Sequence, residues 1–217
     1  TQDPERRVLR GTLRIVEGRI AAISKPTTKI PKRADVEIID ATGLVIAPGF
    51  VQAHVHLCQT LFRNQADDLE LLDWLSKRIW VMEAAHTEET LYASAMLGIY
   101  ELLSSGTTTI LDMGTVRHTE SIFQAVEESG IRASVGKCLM DHPRTTPESL
   151  REPTRDAMDE ARALFKRWNE KAFGRIRVAY APRFVISCTE RLLQEVAREA
   201  KKDGALIHTH ASENLKE

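Results

Sequence analysis

The chain has 217 residues, 42% hydrophobic and 28% charged, which is ordinary for a globular protein. Its formal net charge of −1 gives no electrostatic footprint for a nucleic acid or a membrane surface. No apolar run is long enough to span a bilayer, and the polar opening Thr1-Gln2-Asp3-Pro4-Glu5 carries no signal-peptide pattern. Cys58, Cys138 and Cys188 are widely spaced without a CxxC, which suits a reducing cytoplasm better than a disulfide framework.

Residues 7–46 alternate short β-like runs with turns. The run from Val8 to Val16 leads into Glu17-Gly18, a hairpin signal, and residues 19–23 read as the returning strand. Residues 36–40 and 44–46 follow as two more strands, and Ile30-Pro31-Lys32-Arg33 reads as a loop. A small β module over residues 1–47 is the expectation.

Pro48-Gly49-Phe50-Val51-Gln52-Ala53-His54-Val55-His56 is an apolar run that ends on two histidines spaced i, i+2. Residues two apart on a strand share a face, so both imidazoles can converge on one point. Two neutral imidazoles delivered to a strand's end make half of a metal site.

After His56 the pattern changes to helices alternating with single strands. Residues 69–80 carry Leu and Trp at helical spacing. Thr87 is placed to cap a long helix with apolar positions Leu91, Ala95, Ile99 and Leu102, which stops at Gly106. Residues 107–112 read as a β-branched buried strand. Thr119 then caps a helix through Ile122, Phe123 and Val126 that stops at Gly130. Residues 131–135 form the next strand, Pro153 opens a helix running to Trp168, and residues 175–180 form another strand. Thr189 caps a helix closed by Gly204, residues 205–210 are the last strand, and a further helix begins near the end of the chain.

Five strands alternating with helices from residue 48 onward predict a parallel sheet covered by helices. A complete (β/α)8 barrel takes eight such units and roughly 250 residues. Residues 48–217 therefore fit the first five units of a barrel, and both ends of the chain read as cut.

His208 and His210 repeat the i, i+2 pattern at the end of the fifth strand, and Glu213 lies three residues beyond. A metal lowers the pKa of water, and a nearby carboxylate moves the protons. Glu213 is equally suited to a helix N-terminus.

These motifs carry a resemblance. Pro48-Gly49-Phe50 ahead of His54-Val55-His56, then Ser105-Gly106-Thr107-Thr108-Thr109, then His208-Thr209-His210-Ala211-Ser212-Glu213-Asn214, resemble the amidohydrolase superfamily. The nearest branch is that of aminohydrolases and chlorohydrolases. Within it, Leu57 to Arg63, Asp67-Asp68-Leu69, Trp74 and Glu83 look most like methylthioadenosine/S-adenosylhomocysteine and 5′-deoxyadenosine deaminases. The resemblance implies a (β/α)8 TIM barrel with a small N-terminal β-sandwich module. It implies one divalent metal, zinc or iron, held by His54, His56 and His210, with His208 in support and Glu213 protonating the substrate ring. A strand-six histidine and a strand-eight aspartate would lie beyond Glu217. Trp74 would wall a nucleoside pocket and Glu83 would accept ribose hydroxyls. Lys137 and Arg183 stand where relatives carry other substrate-binding donors, which leaves the 5′ group open. Asp112 reads as structural, although it could face the barrel top.

The implied activity is hydrolytic deamination of an adenosine derivative by a cytoplasmic enzyme, in a homo-oligomer, with no nucleic-acid or membrane partner. Deamination of guanine or 8-oxoguanine, or triazine dechlorination, would use the same metal. A non-catalytic fragment that keeps the fold is the reading from another class.

Overall fold

The computed structural model describes residues 4–26 and 34–215. The loop expected at residues 30–33 and the last two residues lie outside that range. The chain divides into two compact units, Thr1–Pro48 and Gly49–Glu217.

In the first unit, β1 (Thr12–Val16) and β2 (Arg19–Ser24) pair antiparallel, with Val16 opposite Arg19. The two-residue turn between them is Glu17 (φ 49°) and Gly18 (φ 71°), both in the left-handed region that a tight hairpin needs. The strands expected at 36–40 and 44–46 do not form. Their apolar side chains are exposed, Val45 to 93%, and no described strand lies beside them to take ladder hydrogen bonds. The turn between them is held locally: the Thr42 amide and hydroxyl both donate to Asp40 Oδ1, at 2.9 and 2.6 Å.

The second unit is built on a parallel sheet in the order β3 (Phe50–Val55), β4 (Thr107–Thr115), β5 (Arg132–Leu139) and β6 (Ile176–Pro182). Between β3 and β4 run α1 (Leu71–Trp74), a π-helical turn (Leu75–Ile79), α2 (Trp80–Ala84) and α3 (Glu88–Ser104). Next, α4 (Thr119–Ser129) joins β4 to β5. The β5–β6 connection holds α5 (Thr154–Trp168) and the short turn α6 (Lys171–Gly174), where Ala172 and Phe173 take positive φ. Helix α7 (Glu190–Asp203) follows β6.

Helix α3 starts where the sequence signals it. Thr87 Oγ1 accepts the Thr90 amide at 3.2 Å, and Thr90 Oγ1 accepts the Thr87 amide at 2.9 Å, a reciprocal box that satisfies two orphan donors. Thr189 caps α7 by accepting the Leu192 amide at 3.2 Å, and Gly204 closes it at φ 63°. Thr119 departs from expectation. Its hydroxyl donates to the Thr115 carbonyl at 2.9 Å, and the residue before the helix is His118 in a left-handed conformation.

The core lies between the sheet and the helices. Ile110, Val135, Ile176 and Val178 from the strands pack with Phe123, Val126 and Trp168 from α4 and α5. Residues 205–210 do not form a regular strand. They follow the β6 edge through one parallel bridge, Tyr180 to Ile207, with the Tyr180 amide donating to Leu206 and the His208 amide to Tyr180. Among the described residues neither β3 nor residues 205–210 has a second neighbour, so the sheet is open at both edges. Phe50 and Val51 are each 68% exposed as a result. The helix expected after Glu213 is absent among the described residues, where Ser212 to Asn214 bend and Leu215 turns.

Candidate metal centre and substrate pocket

His54 sits near the end of β3 and His56 just past it. The parallel ladder slips around His54: Gln52 pairs with Ile110 but Val55 with Asp112, so β3 carries one extra residue. Such a bulge re-aims side chains at a strand's end. His208 and His210 arrive from the segment bridged to β6. The two pairs meet, with His54 Nδ1 2.8 Å from His208 Nε2 and His56 Nε2 3.2 Å from His210 Nε2. The rings of His56 and His210 stack with centroids 5.3 Å apart, and His54 stands edge-on to His56, His208 and His210 at 4.9 Å from each.

The electrostatics favour the neutral form of His56, His208 and His210. Burial, then Arg183 and the neighbouring imidazoles, hold the His56 pKa well below the ordinary histidine value. Burial and His54 bring His208 down to about 4, and burial lowers His210. Neutral imidazoles are the ligand form. His210 is also fixed in tautomer: its Nδ1 donates to the Arg183 carbonyl at 2.8 Å, which leaves the Nε2 lone pair facing the cluster.

This donor set fits a divalent cation. One nitrogen from each of His54, His56 and His210 lies within 4.8 Å of the others. Two nitrogens on a tetrahedral zinc, at about 2.05 Å, stand roughly 3.3 Å apart. The His56–His210 spacing of 3.2 Å matches that edge. His56 Nδ1 and His208 Nδ1 are buried with no hydrogen-bond partner, so hydrogen bonding within the protein leaves the cluster unsatisfied. His56, Cys58 and Glu83 also cluster within 4.8 Å. There burial pushes the Cys58 thiol well up and Glu83 is already paired with a guanidinium, so that set is poorly suited to a metal.

Glu83, on α2, is 3% exposed and forms a two-pronged ion pair with Arg183, which is 2% exposed and lies just past β6. The contacts are 2.5 Å from Nη1 and 3.1 Å from Nη2. Gln59 Nε2 donates to the same carboxylate at 2.9 Å. Sequence reasoning missed Gln59 in this role. Only its place three residues after His56 could have drawn attention to it. Arg183 thus connects two features, its side chain holding Glu83 and its carbonyl holding His210.

Trp74 is half-buried and lines a cavity of about 640 Å³ together with His54, His56, Phe62, Asp67 and Ile79. Glu213 is exposed, and its charge raises the proton affinity of His210 against the dominant effect of burial. Lys137 is not brought to the histidines. It shares strand parity with Val135 and Leu139, which pack on the helices, whereas Cys138 between them packs with Leu75 and Phe184. Its ammonium donates to the Val116 carbonyl and pairs with Glu152 at 2.8 Å and Glu160 at 3.0 Å. Its charge is taken up there by Glu152 and by Glu160 of α5, on the side of the sheet away from the histidines.

Residues 45–217 match the amidohydrolase family. The chain belongs to that family. Over 209 residues, 96% of its length, it is 40% identical to a 5′-deoxyadenosine deaminase of Methanobrevibacter smithii. The same stretch is 46% of that relative, so the chain spans about half the length of the curated relatives it matches. Among solved structures, guanine deaminase of C. acetobutylicum with bound guanine superposes at a TM-score of 0.80 and 25% identity, covering 94% of this chain and 48% of that one. An adenosine deaminase of Xanthomonas campestris with bound zinc superposes at 0.70 and 29% identity, covering 78% of this chain and 39% of that one. In this amidohydrolase chain the histidine pairs stand at the end of β3 and in the segment bridged to β6. Among the described residues no helix is long and apolar enough to cross a membrane.

Proposed function

We propose that the protein containing this chain is a zinc-dependent deaminase of adenine nucleoside derivatives such as 5′-deoxyadenosine, methylthioadenosine or S-adenosylhomocysteine. The observation that carries the reading is the convergence of His54, His56 and His210, with the His210 tautomer set by the Arg183 carbonyl. Bound there, a divalent cation supplies an activated water. Glu213, close enough to influence His210, protonates the purine ring nitrogen next to C6, and ammonia departs. Trp74 stacks on or walls the purine. Glu83, held rigid by Arg183 and Gln59, accepts the ribose hydroxyls on its remaining lone pairs. The free, buried thiols of Cys58, Cys138 and Cys188 accord with a reducing cytoplasm. A homo-oligomer is the proposed assembly.

The name of the Methanobrevibacter smithii relative supports the adenosine-type substrate. One observation favours a second reading. Both Glu83 oxygens already accept hydrogen bonds from Arg183, which leaves less capacity for a ribose and suits a bare base such as guanine. Ammonia release by the intact, zinc-loaded protein from 5′-deoxyadenosine, methylthioadenosine and guanine separates the two. Turnover of the nucleosides with no turnover of guanine is expected. Turnover of guanine alone overturns the adenosine reading, and no turnover of any of them overturns the deaminase reading.

A further inference from the structure

Asp112 is fully buried on β4, in the fold beside the histidines, and no step proposed above uses it. Its surroundings explain why a carboxylate is there. Two successive ladders slip at this level. The β3–β4 register gains a residue in β3 between Gln52 and Val55, and the β4–β5 register gains one in β4 between Asp112 and Thr115. Each slip takes backbone donors out of the regular ladder. Gly114, inside the second slip, has φ 73°, a left-handed conformation open to glycine.

Leu57 opens a 3-10 turn that His56 does not cap with its side chain, so the Leu57 amide is an orphan helical donor. Asp112 takes both freed donors. The Leu57 amide donates to Oδ1 at 2.8 Å and the Gly114 amide to Oδ2 at 2.8 Å. One carboxylate thus bridges the end of β3 to the bulge of β4, at the peptide that follows His56. Burial raises the Asp112 pKa to about 7, against the pull of these two amide bonds, which favour the carboxylate.

We infer that Asp112 is a positioning residue for the metal ligand His56: it fixes the His56–Leu57 peptide, and through it the direction of the imidazole. The inference rests on the metal reading above. It concerns orientation alone, since Asp112 reaches the ring only through the backbone. Asn at this position keeps one acceptor but turns an amino group toward the other amide, where two donors face each other.

The test is cobalt binding by the intact protein, in a double-mutant cycle of Asp112→Asn with His56→Ala. In the otherwise unchanged protein, Asp112→Asn weakens cobalt binding at least about 10-fold, the scale on which supporting partners of ligands act. In the His56→Ala background the same change has no further effect. An equal loss in both backgrounds, or no loss in a folded Asp112→Asn protein, overturns the inference. Hydrogen exchange at the Leu57 amide of the unsubstituted protein gives a second reading that needs no variant to fold. Protection of that amide supports the inference, and exchange at the rate of an open loop overturns it. If the unsubstituted protein binds no cobalt, the metal reading fails, and the Leu57 amide still decides whether Asp112 holds the peptide.

Discussion

Replacing Arg183 with Met strands the Glu83 carboxylate in a dry site. The pair is 2–3% exposed, with oxygen–nitrogen contacts of 2.5 and 3.1 Å. Burial alone would pull the Arg183 pKa down; Glu83 more than offsets it and holds the guanidinium charged. At about 4 Å between charge centres and an effective dielectric of about 20, the attraction is about 4 kcal/mol. Removing one partner of such a buried pair costs about 3–5 kcal/mol, because the other charge remains unpaired. For a domain of this size that is a fall in Tm of about 10 °C. The assay is urea denaturation of the intact protein followed by tryptophan fluorescence, with Arg183→Met, Glu83→Leu and the double variant. Replacing both partners by apolar groups removes the stranded charge, so the double variant is expected to be at least about 2 kcal/mol more stable than the two single losses added together. A loss under about 1 kcal/mol for Arg183→Met, or additivity of the two changes, refutes the account of the pair.

Three further outcomes follow from the geometry. His208→Ala leaves the three candidate ligands in place but removes the partner of His54 Nδ1; zinc affinity, read by competition with a chelator, falls about 10–100-fold, and unchanged affinity would deny His208 a supporting role. In the metal-free protein, His208 stays neutral down to about pH 4 when folded and takes up a proton near its ordinary value when unfolded. The unfolded state therefore binds more protons across that window, and stability to urea declines as pH falls from about 6.5 to 4; a flat profile refutes this. Gly114→Ala would put a Cβ 1.8 Å from the Gly136 carbonyl oxygen at φ 73°, and a loss of more than about 3 kcal/mol is expected by thermal melting; an unchanged Tm would show that the β4 bulge is not fixed.

The histidine pairs could be read directly from the chain because strand periodicity is local: residues two apart share a face whatever surrounds them. The caps Thr87 and Thr189 were legible for the same reason, each serving an amide three residues away. Lys137 was not legible. The expected strand stopped at residue 135, two short of it, whereas β5 runs on to Leu139, and a lysine one position over would have pointed to Cys138's side of the sheet. Residues 36–40 carry strand propensity yet lie without a partner strand among the described residues, since propensity supplies no hydrogen bonds of its own.

The amino-acid sequence by itself determined the alternation of helices with the strands β3 to β6, the two His-x-His motifs and the caps Thr87 and Thr189, all of them set by neighbours within a few residues. Only the tertiary structure decided that His56 faces His210 at 3.2 Å, that Glu83 and Arg183 are each other's partner across 100 residues, and that Asp112 bridges two slipped ladders. Those pairings depend on register between strands, and register is fixed by which faces the helices bury and where each strand carries an extra residue.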